Sequence, residues 1–146
     1  QRMPKTYGRC FADLSANPYL SVATIGTHDM PPLRLWWKTD ADGRQAYWHE
    51  AMHRVGEAPA DLGAAECESI IATHLDSPSM LALIALQDYL AMDASLRHPQ
   101  PEAEQINDPA NPDQHWTYRM HLTIEQLAAA TDFNEKLRAL IEKSGR

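Results

Sequence analysis

The sequence predicts an α/β fold, and two observations predict it. Two short apolar runs, Leu20–Ile25 and Met80–Leu86, have the length of strands and are bounded by turn-forming residues. The residues between these runs show helical patterns instead. Near-continuous apolarity at strand length is typical of parallel strands that are buried on both faces. A parallel pair joined by helices is a βαβ unit, whose crossover we expect to be right-handed.

The predicted helices follow in order along the chain. Residues 42–54 are rich in helix formers and aromatic side chains, and Asp61 is expected to be the N-cap of a second helix. The buried face of that second helix is predicted from the spacing i, i+3, i+4 and i+7 of Cys67, Ile70, Ile71 and His74. Residues 88–92 are expected to begin a short helix. The polar, proline-containing stretch 98–113 is expected to be a structured loop or a linker.

Two further helices are predicted to close the chain. Thr123 and Gln126 have the spacing of a capping box, and Asp132 is expected near the start of the last helix, which should end at Gly145. That helix carries one apolar stripe, made of Phe133, Leu137, Leu140 and Ile141. An amphipathic stripe of this kind predicts docking onto a core.

Two buried-type strands cannot form a sheet that covers both faces and closes its own edges. We therefore expect further strands, either from a β-rich partner or from a larger α/β barrel or open sheet to which residues 1–146 belong as one compact piece. The first residue is Gln rather than Met, which fits a piece of a longer protein. Residues 1–9 are followed by no apolar segment of the signal-peptide type.

Composition excludes several classes of function. Asp and Glu number 20 against 13 Lys and Arg, so the net charge is -7, and the basic residues are scattered singly. This charge opposes binding to nucleic acid. No apolar run approaches the roughly 20 residues of a membrane span. Cys10 and Cys67 form no C-x-x-C motif, which argues against a disulfide framework or a thiolate zinc site and favours a cytoplasmic location.

The most specific motif follows the first apolar run and extends from Thr27 to Trp37, with His28 and Asp29 near its start. A polar pair directly after a buried strand is where α/β enzymes place catalytic groups, because the carboxyl ends of the strands face the active-site mouth. The same position also suits a simple strand cap, in which Asp29 accepts hydrogen bonds from the following turn. Position alone leaves both interpretations open.

Three ordered blocks of the sequence resemble one family. The string Thr-His-Asp-Met-Pro-Pro-Leu-Arg-Leu-Trp-Trp at 27–37 resembles the Thr-His-Asp-Leu/Met-x-x-Leu-Arg-Gly-Trp-Trp segment of the 4-alpha-glucanotransferases, glycoside hydrolase family 77. Residues 78–89 resemble the last barrel strand of this family and its Leu-Gln-Asp ending. Residues 104–112 and 115–119 resemble its Glu-Arg-Ile-Asn loop and its Trp-x-Tyr-Arg signature. The chain departs from these patterns at Leu35, Gln105 and His115.

The resemblance implies that the chain is the C-terminal part of a (β/α)8 TIM barrel, with strand seven ending at Asp29 and strand eight near Asp88. It implies a retaining transfer of alpha-1,4-glucan segments between malto-oligosaccharides or glycogen-like glucans, without a cofactor or metal. By residue match, Asp29 is the third carboxylate of the family's site, which stabilises the transition state, and His28 contacts the same glucose unit. Asn107 is a candidate sugar-contacting residue, although an Asx-turn explains it equally well.

The resemblance places the nucleophile and the general acid/base on earlier barrel strands, outside this chain. The chain alone is therefore expected to be inactive, with the rest of the barrel as its natural partner. Its unpaired strand edges also predict possible self-association. A non-catalytic glucan-binding fragment is one alternative function.

A second alternative is a small zinc peptidase. His49-Glu50-Ala51-Met52-His53 is a literal H-E-x-x-H motif, which on a helix presents two imidazoles on one face. The motif supplies no third zinc ligand, and the candidates for that ligand are Glu66, Glu68 and His74. Within the family that the chain resembles, this segment is simply an outer helix. Of the neighbouring aromatic residues, Trp37, Tyr47 and Trp48 are expected to pack in the core, whereas Trp36 remains a candidate for stacking on sugar.

Overall fold

The computed structural model describes residues 10–113 and 116–146. Two strands and six α-helices lie within these ranges, together with 3-10 helices at Leu14–Ala16 and Pro101–Glu104. The strands and helices are, in chain order, β1 (Val22–Thr24), α1 (Leu33–Thr39), α2 (Ala41–Glu50), α3 (Ala64–Leu75), β2 (Leu81–Leu83), α4 (Leu86–Leu90), α5 (Ile124–Ala129) and α6 (Thr131–Lys143). None of these helices is long and apolar enough to cross a membrane.

β1 and β2 form a two-stranded parallel sheet, in which Ala23 lies opposite Ala82. The predicted parallel pairing is therefore confirmed, and the helices between the strands form its crossover. The strands are shorter than the apolar runs that predicted them, with three residues each. Both strands lead at their carboxyl ends into the segments that carry the polar motif residues.

Within the described residues the sheet is covered on one face only, and the cover that the sequence predicts for the other face is not among them. Ala23 is 1% exposed on the side that faces α3. On the other side, Val22 is 49% exposed, Leu81 45% and Leu83 58%. The register explains this arrangement, because Val22 pairs with Leu81 and Thr24 with Leu83, so these side chains share one face. No described helix covers that face.

The predicted helix over 42–54 is shorter, and a separate helix, α1, precedes it. Asp40 lies between α1 and α2, and its carboxylate accepts a hydrogen bond from the backbone N–H of Gly43 at 2.8 Å. Asp40 is therefore the N-cap of α2. α2 ends at Glu50, because the chain turns at His53, which has a positive φ of 53°.

α3 supports the sheet with the face that the sequence predicts. Its buried residues include the predicted set, namely Cys67, Ile70, Ile71 and His74, with Leu75 added. The predicted N-cap is wrong, because the helix begins at Ala64 and its N-cap is Gly63 rather than Asp61. The backbone of Gly63 is extended, and no side chain caps this helix.

The two C-terminal helices confirm the predicted capping box and stripe. Thr123 accepts from the backbone N–H of Gln126 at 3.1 Å, and the Gln126 side chain accepts from the backbone N–H of Thr123 at 2.8 Å. Phe133 is buried at the start of α6. The remaining stripe residues pack against the core while partly exposed, namely Leu137, Leu140 and Ile141. Arg146 then donates hydrogen bonds to the carbonyl of Leu75 at the end of α3 and to those of Ser77 and Ser79 before β2.

Aromatic side chains from α1, α2 and the segment before β1 form the centre of the core. Phe11 meets Tyr47 edge-on with ring centroids 4.8 Å apart, and Trp36 meets Tyr47 at 5.9 Å. Trp37 is fully buried, and its indole N–H donates to the carbonyl of Pro59 at 2.8 Å. Trp36 is 7% exposed. It is therefore a core residue, and the interpretation as a sugar-stacking side chain is wrong for it.

His74 is an ionisable group in the core of α3. Its Nδ1 donates to the carbonyl of Ile70 at 2.7 Å, while Nε2 has no hydrogen-bond partner among the described residues. Burial disfavours the charged imidazolium and lowers the pKa of His74 from 6.5 to about 4. At His74, the unfolded chain therefore binds more protons than the folded chain between these two pH values.

We expect the free energy of unfolding to fall as the pH drops from 6.5 to about 4, by about 3 kcal/mol from His74 alone. The measurement is urea denaturation of the wild type and of His74→Met across this range. The difference between the two curves isolates His74, because burial raises the pKa of Glu104 and gives that residue a contribution of opposite sign. Parallel curves for the two proteins would contradict the prediction.

Candidate functional site

The segment after β1 is a tight turn that presents His28 and Asp29 to solvent. The hydroxyl of Thr24 donates to the carbonyl of Gly26 at 2.7 Å, and the backbone N–H of Met30 donates to the carbonyl of Thr27 at 3.1 Å. These local bonds satisfy the polar backbone where the strand ends. The two side chains are left about half exposed.

The structure brings the three site residues predicted from the sequence into one cluster. His28 Nε2 lies 3.3 Å from Asp29 Oδ2. Asn107, which is 78 positions further along the chain, donates from Nδ2 to Asp29 Oδ1 at 2.6 Å. A carboxylate is thus held between an imidazole and an amide, with part of its surface open to a ligand.

Trp116 extends this cluster, although its only signal in the sequence is the Trp-x-Tyr-Arg motif. Its ring centroid lies 4.7 Å from that of His28 and the two planes are tilted by 49°. The side chain is 63% exposed. An exposed indole beside polar hydrogen-bonding groups suits the apolar face of a sugar ring. The neighbouring motif residue His115 lies outside the described residues.

Asp88 lies at the same end of the sheet as Asp29, as the sequence predicts, but it is buried. It is 3% exposed, and its Oδ1 accepts from the backbone N–H of Leu33 at 2.8 Å. Leu33 is the first residue of α1, whose N-cap Pro32 has no side chain able to cap the helix. Asp88 therefore supplies, from 55 positions away, the acceptor that this helix start needs.

A buried ion pair joins α1 to the loop that carries Asn107. Arg34 Nη1 lies 3.7 Å from Glu104 Oε2, and both side chains are largely buried. The same Nη1 donates to the carbonyl of His98 at 2.7 Å. Burial raises the pKa of Glu104, and the guanidinium of Arg34 opposes that shift only in part. The other carboxylate oxygen, Oε1, has no hydrogen-bond partner among the described residues.

This arrangement can bind and polarise a neutral polyhydroxylated ligand. The carboxylate of Asp29 accepts hydrogen bonds from hydroxyl groups, and its negative charge stabilises a nearby developing positive charge. His28 and Asn107 each offer ring or amide groups for further hydroxyl contacts. Within the described residues, Asp29 is the only carboxylate in the cluster of His28, Asn107 and Trp116. A reaction that needs two further carboxylates must therefore take them from elsewhere.

The H-E-x-x-H segment does not have the geometry of a zinc site. α2 ends at Glu50, so His53 lies beyond the helix and does not share a helical face with His49. His49 Nε2 lies 2.8 Å from the carbonyl of Gly56, and Glu50 accepts from the backbone N–H of Cys10 at 3.2 Å. In residues 10–113 and 116–146, no group of three or more His, Cys, Asp or Glu side chains could hold a metal ion.

Comparison with known proteins identifies the family. A family model for glycoside hydrolase family 77, described as 4-alpha-glucanotransferase, matches residues 1–124. The chain belongs to this family. It is similar to the 4-alpha-glucanotransferase DPE2 of Oryza sativa subsp. japonica, with 32% identity over 146 residues, which are all of this chain and 15% of that protein. It is also similar to the 4-alpha-glucanotransferase of Chlamydia muridarum, with 30% identity over 125 residues, which are 85% of this chain and 23% of that protein.

A solved structure of the family supports the fold. An amylomaltase from Streptococcus agalactiae, in complex with acarbose, superimposes with a TM-score of 0.60 at 21% identity, over 86% of this chain and 22% of that one. The mixed α/β fold is therefore that of an amylomaltase segment. The chain spans less than a quarter of the length of each of these three proteins. No comparison supports a zinc peptidase.

Asp88 caps the start of α1, so its replacement should lower the stability of the fold. Asp88→Ala leaves the N–H of Leu33 buried without its acceptor, so we expect the free energy of unfolding to fall by about 1–3 kcal/mol. Asp88→Asn keeps an acceptor oxygen at the same place and is the matched control, for which we expect a smaller loss. Urea denaturation of the three proteins measures the difference. An alanine variant within about 0.5 kcal/mol of the wild type would refute the role of this cap.

Proposed function

We propose that this chain is part of a 4-alpha-glucanotransferase that transfers alpha-1,4-glucan segments between malto-oligosaccharides or glycogen-like glucans by a retaining mechanism. The observation that carries the proposal is the contact of Asp29 with both His28 and Asn107, beyond the carboxyl end of a parallel strand. Two family motifs far apart in sequence meet there. Membership of the family supports the reaction type, and the meeting of these motifs supports this cluster as its site.

Asp29 acts in this proposal as a stabilising carboxylate rather than as the nucleophile. Retaining transfer uses one carboxylate as nucleophile and one as general acid/base, and passes through an oxocarbenium-like transition state. A third carboxylate that contacts the reacting glucose unit favours the positive charge of that state over the neutral ground state. His28 and Asn107 bind hydroxyls of the same sugar and hold Asp29 in place.

The nucleophile and the acid/base come from parts of the enzyme outside this chain. The open sheet face supports this division, because Val22, Leu81 and Leu83 are apolar and about half exposed on one side of the sheet. Inward-facing residues of a (β/α)8 barrel are apolar and are covered by the other strands. We assign β1 and β2 to strands seven and eight of such a barrel. The chain alone is then inactive and prone to self-association through this face.

The substrate class follows from the family and from the chemistry of the cluster. The amylomaltase of Streptococcus agalactiae was solved with acarbose, which fits a glucan-binding role for the corresponding segment of this chain. Trp116, exposed beside His28, offers a stacking surface for one glucose unit. A purely glucan-binding role of this cluster is the alternative. In that case a change of Asp29 affects the affinity for glucan and leaves the rate of transfer at saturating glucan unchanged.

The test is Asp29→Asn in the full-length protein that contains this chain. Asn keeps the shape and loses the charge, so we expect turnover on maltotriose to fall by about 10²–10³-fold, with little change in the affinity for glucan. The measurement is the transfer rate, from the glucose released, together with the Kd for a malto-oligosaccharide.

Glu50→Gln is the matched control, since Glu50 is an exposed carboxylate on α2, away from the cluster. It should keep turnover near the wild-type rate. Full turnover in Asp29→Asn would sink the proposed role of Asp29. Loss of turnover in Glu50→Gln alone would move the active site to the H-E-x-x-H segment.

A further inference from the structure

Arg34 and Glu104 connect the two loops that form the candidate site. Asp29 and Arg34 are five positions apart in the segment that leads from β1 into α1, and Glu104 and Asn107 are three positions apart in the polar loop. The ion pair joins Arg34 to Glu104, and the hydrogen bond joins Asn107 to Asp29. Two short chain segments and two polar contacts thus close a ring.

The other groups around this ring fix its position on the sheet. Leu33, next to Arg34, is held by the carboxylate of Asp88. Gln87 Nε2 donates to the backbone carbonyl of Glu104 at 3.3 Å. Both anchoring side chains come from α4, directly after β2. The carboxyl end of β2 therefore supports both halves of the ring.

The ion pair is expensive to bury, which suggests a role other than bulk stability. The charged ends of Arg34 and Glu104 are removed from water, with side-chain exposures of 12% and 2%. Desolvation of a buried pair offsets most of its attraction, so an apolar pair of similar size serves stability as well. What the charged pair adds is a directional contact that fixes α1 against the polar loop.

We propose that Arg34 and Glu104 are positioning residues of the glucanotransferase site, which set the distance between Asn107 and Asp29. This inference rests on the proposed function. Neither side chain is placed in contact with the sugar. They act through Asn107, whose amide holds the Asp29 carboxylate where charge develops in the transition state.

The chain provides a matched control in a second ion pair between the same two elements. Lys38 Nζ on α1 lies 2.6 Å from Glu102 Oε1 on the 3-10 helix Pro101–Glu104, but both side chains are about half exposed. An exposed pair of this kind is screened by water and contributes little. Loss of the Lys38–Glu102 pair removes a contact between the same two elements. It therefore shows whether any such contact is needed for turnover or only the buried Arg34–Glu104 pair.

The experiment compares Glu104→Gln and Glu102→Gln in the full-length protein, with maltotriose as substrate. We expect Glu104→Gln to lower kcat by about 10- to 100-fold with a much smaller change in KM, since a misplaced group costs turnover even when it lies outside the chemistry. Glu102→Gln should stay within about twofold of the wild type. A folded Glu104→Gln enzyme with a kcat within about twofold of the wild type would overturn the inference.

A double-mutant cycle with Asn107→Ala separates positioning from general stability. If Glu104 acts through Asn107, the loss of kcat in Glu104→Gln/Asn107→Ala should be close to that of Asn107→Ala alone. Fully multiplicative losses would contradict the inference. Wild-type protein without any transfer activity would instead overturn the proposed function itself.

Glu104→Gln leaves Arg34 buried without its counter-charge, and this change could prevent folding. The second variant is Arg34→Met/Glu104→Gln, which removes both charges and leaves no unpaired ion. We expect it to fold and to keep the reduced kcat. Recovery of the wild-type kcat in this variant would show that the pair matters only for burial, and would refute the positioning role.

Discussion

The parallel pairing of β1 with β2 is the constraint on which the rest of the structure depends. Parallel strands need a long connection, and here that connection contains α1, α2 and α3 and carries most of the buried core residues. The same pairing brings the carboxyl ends of both strands to one edge. Polar residues after β1 and after β2 can therefore meet, and Asp88 reaches the start of α1 because of it.

The core and the candidate site share one helix, α1. α1 buries its aromatic side chains against α2, while its first turn carries Arg34 and is capped by the carboxylate of Asp88. A shift of α1 would therefore disturb the core and move Asp29 at the same time. Two carboxylates connect α1 to the segments of the site, and these side chains, Asp88 and Glu104, are among the least exposed polar residues described.

Local signals predicted those parts of the fold that depend on neighbouring residues. The spacing of apolar residues gave the buried face of α3, and Thr123 with Gln126 gave the capping box of α5. The start of α1 was not predictable, because its capping carboxylate comes from Asp88. No glycine or proline marks the end of α2 in the sequence. The predicted helix therefore included the whole H-E-x-x-H motif, whereas α2 ends at Glu50.

The residues of the site were predictable from motifs, but their contacts were not. Matching motifs named His28, Asp29 and Asn107 separately, and nothing in the spacing shows that Asn107 bonds to Asp29. The role of Arg34 and Glu104 depends on burial, which charge patterns in a sequence do not reveal. The apolar runs predict cover on both faces of the strands, and the described residues supply it on one, because an apolar run records which surface becomes covered and not which part of the protein covers it.

The most direct test of this account is a crystal structure of the full-length protein with a bound malto-oligosaccharide. The quantity to measure is the distance from the Asp29 carboxylate oxygens to the nearest sugar hydroxyl. We predict a hydrogen bond of about 2.5–3.0 Å, with Val22 and Leu81 covered by further strands of a closed barrel. A sugar bound away from Asp29, or a sheet whose apolar face remains open to solvent, would contradict the account.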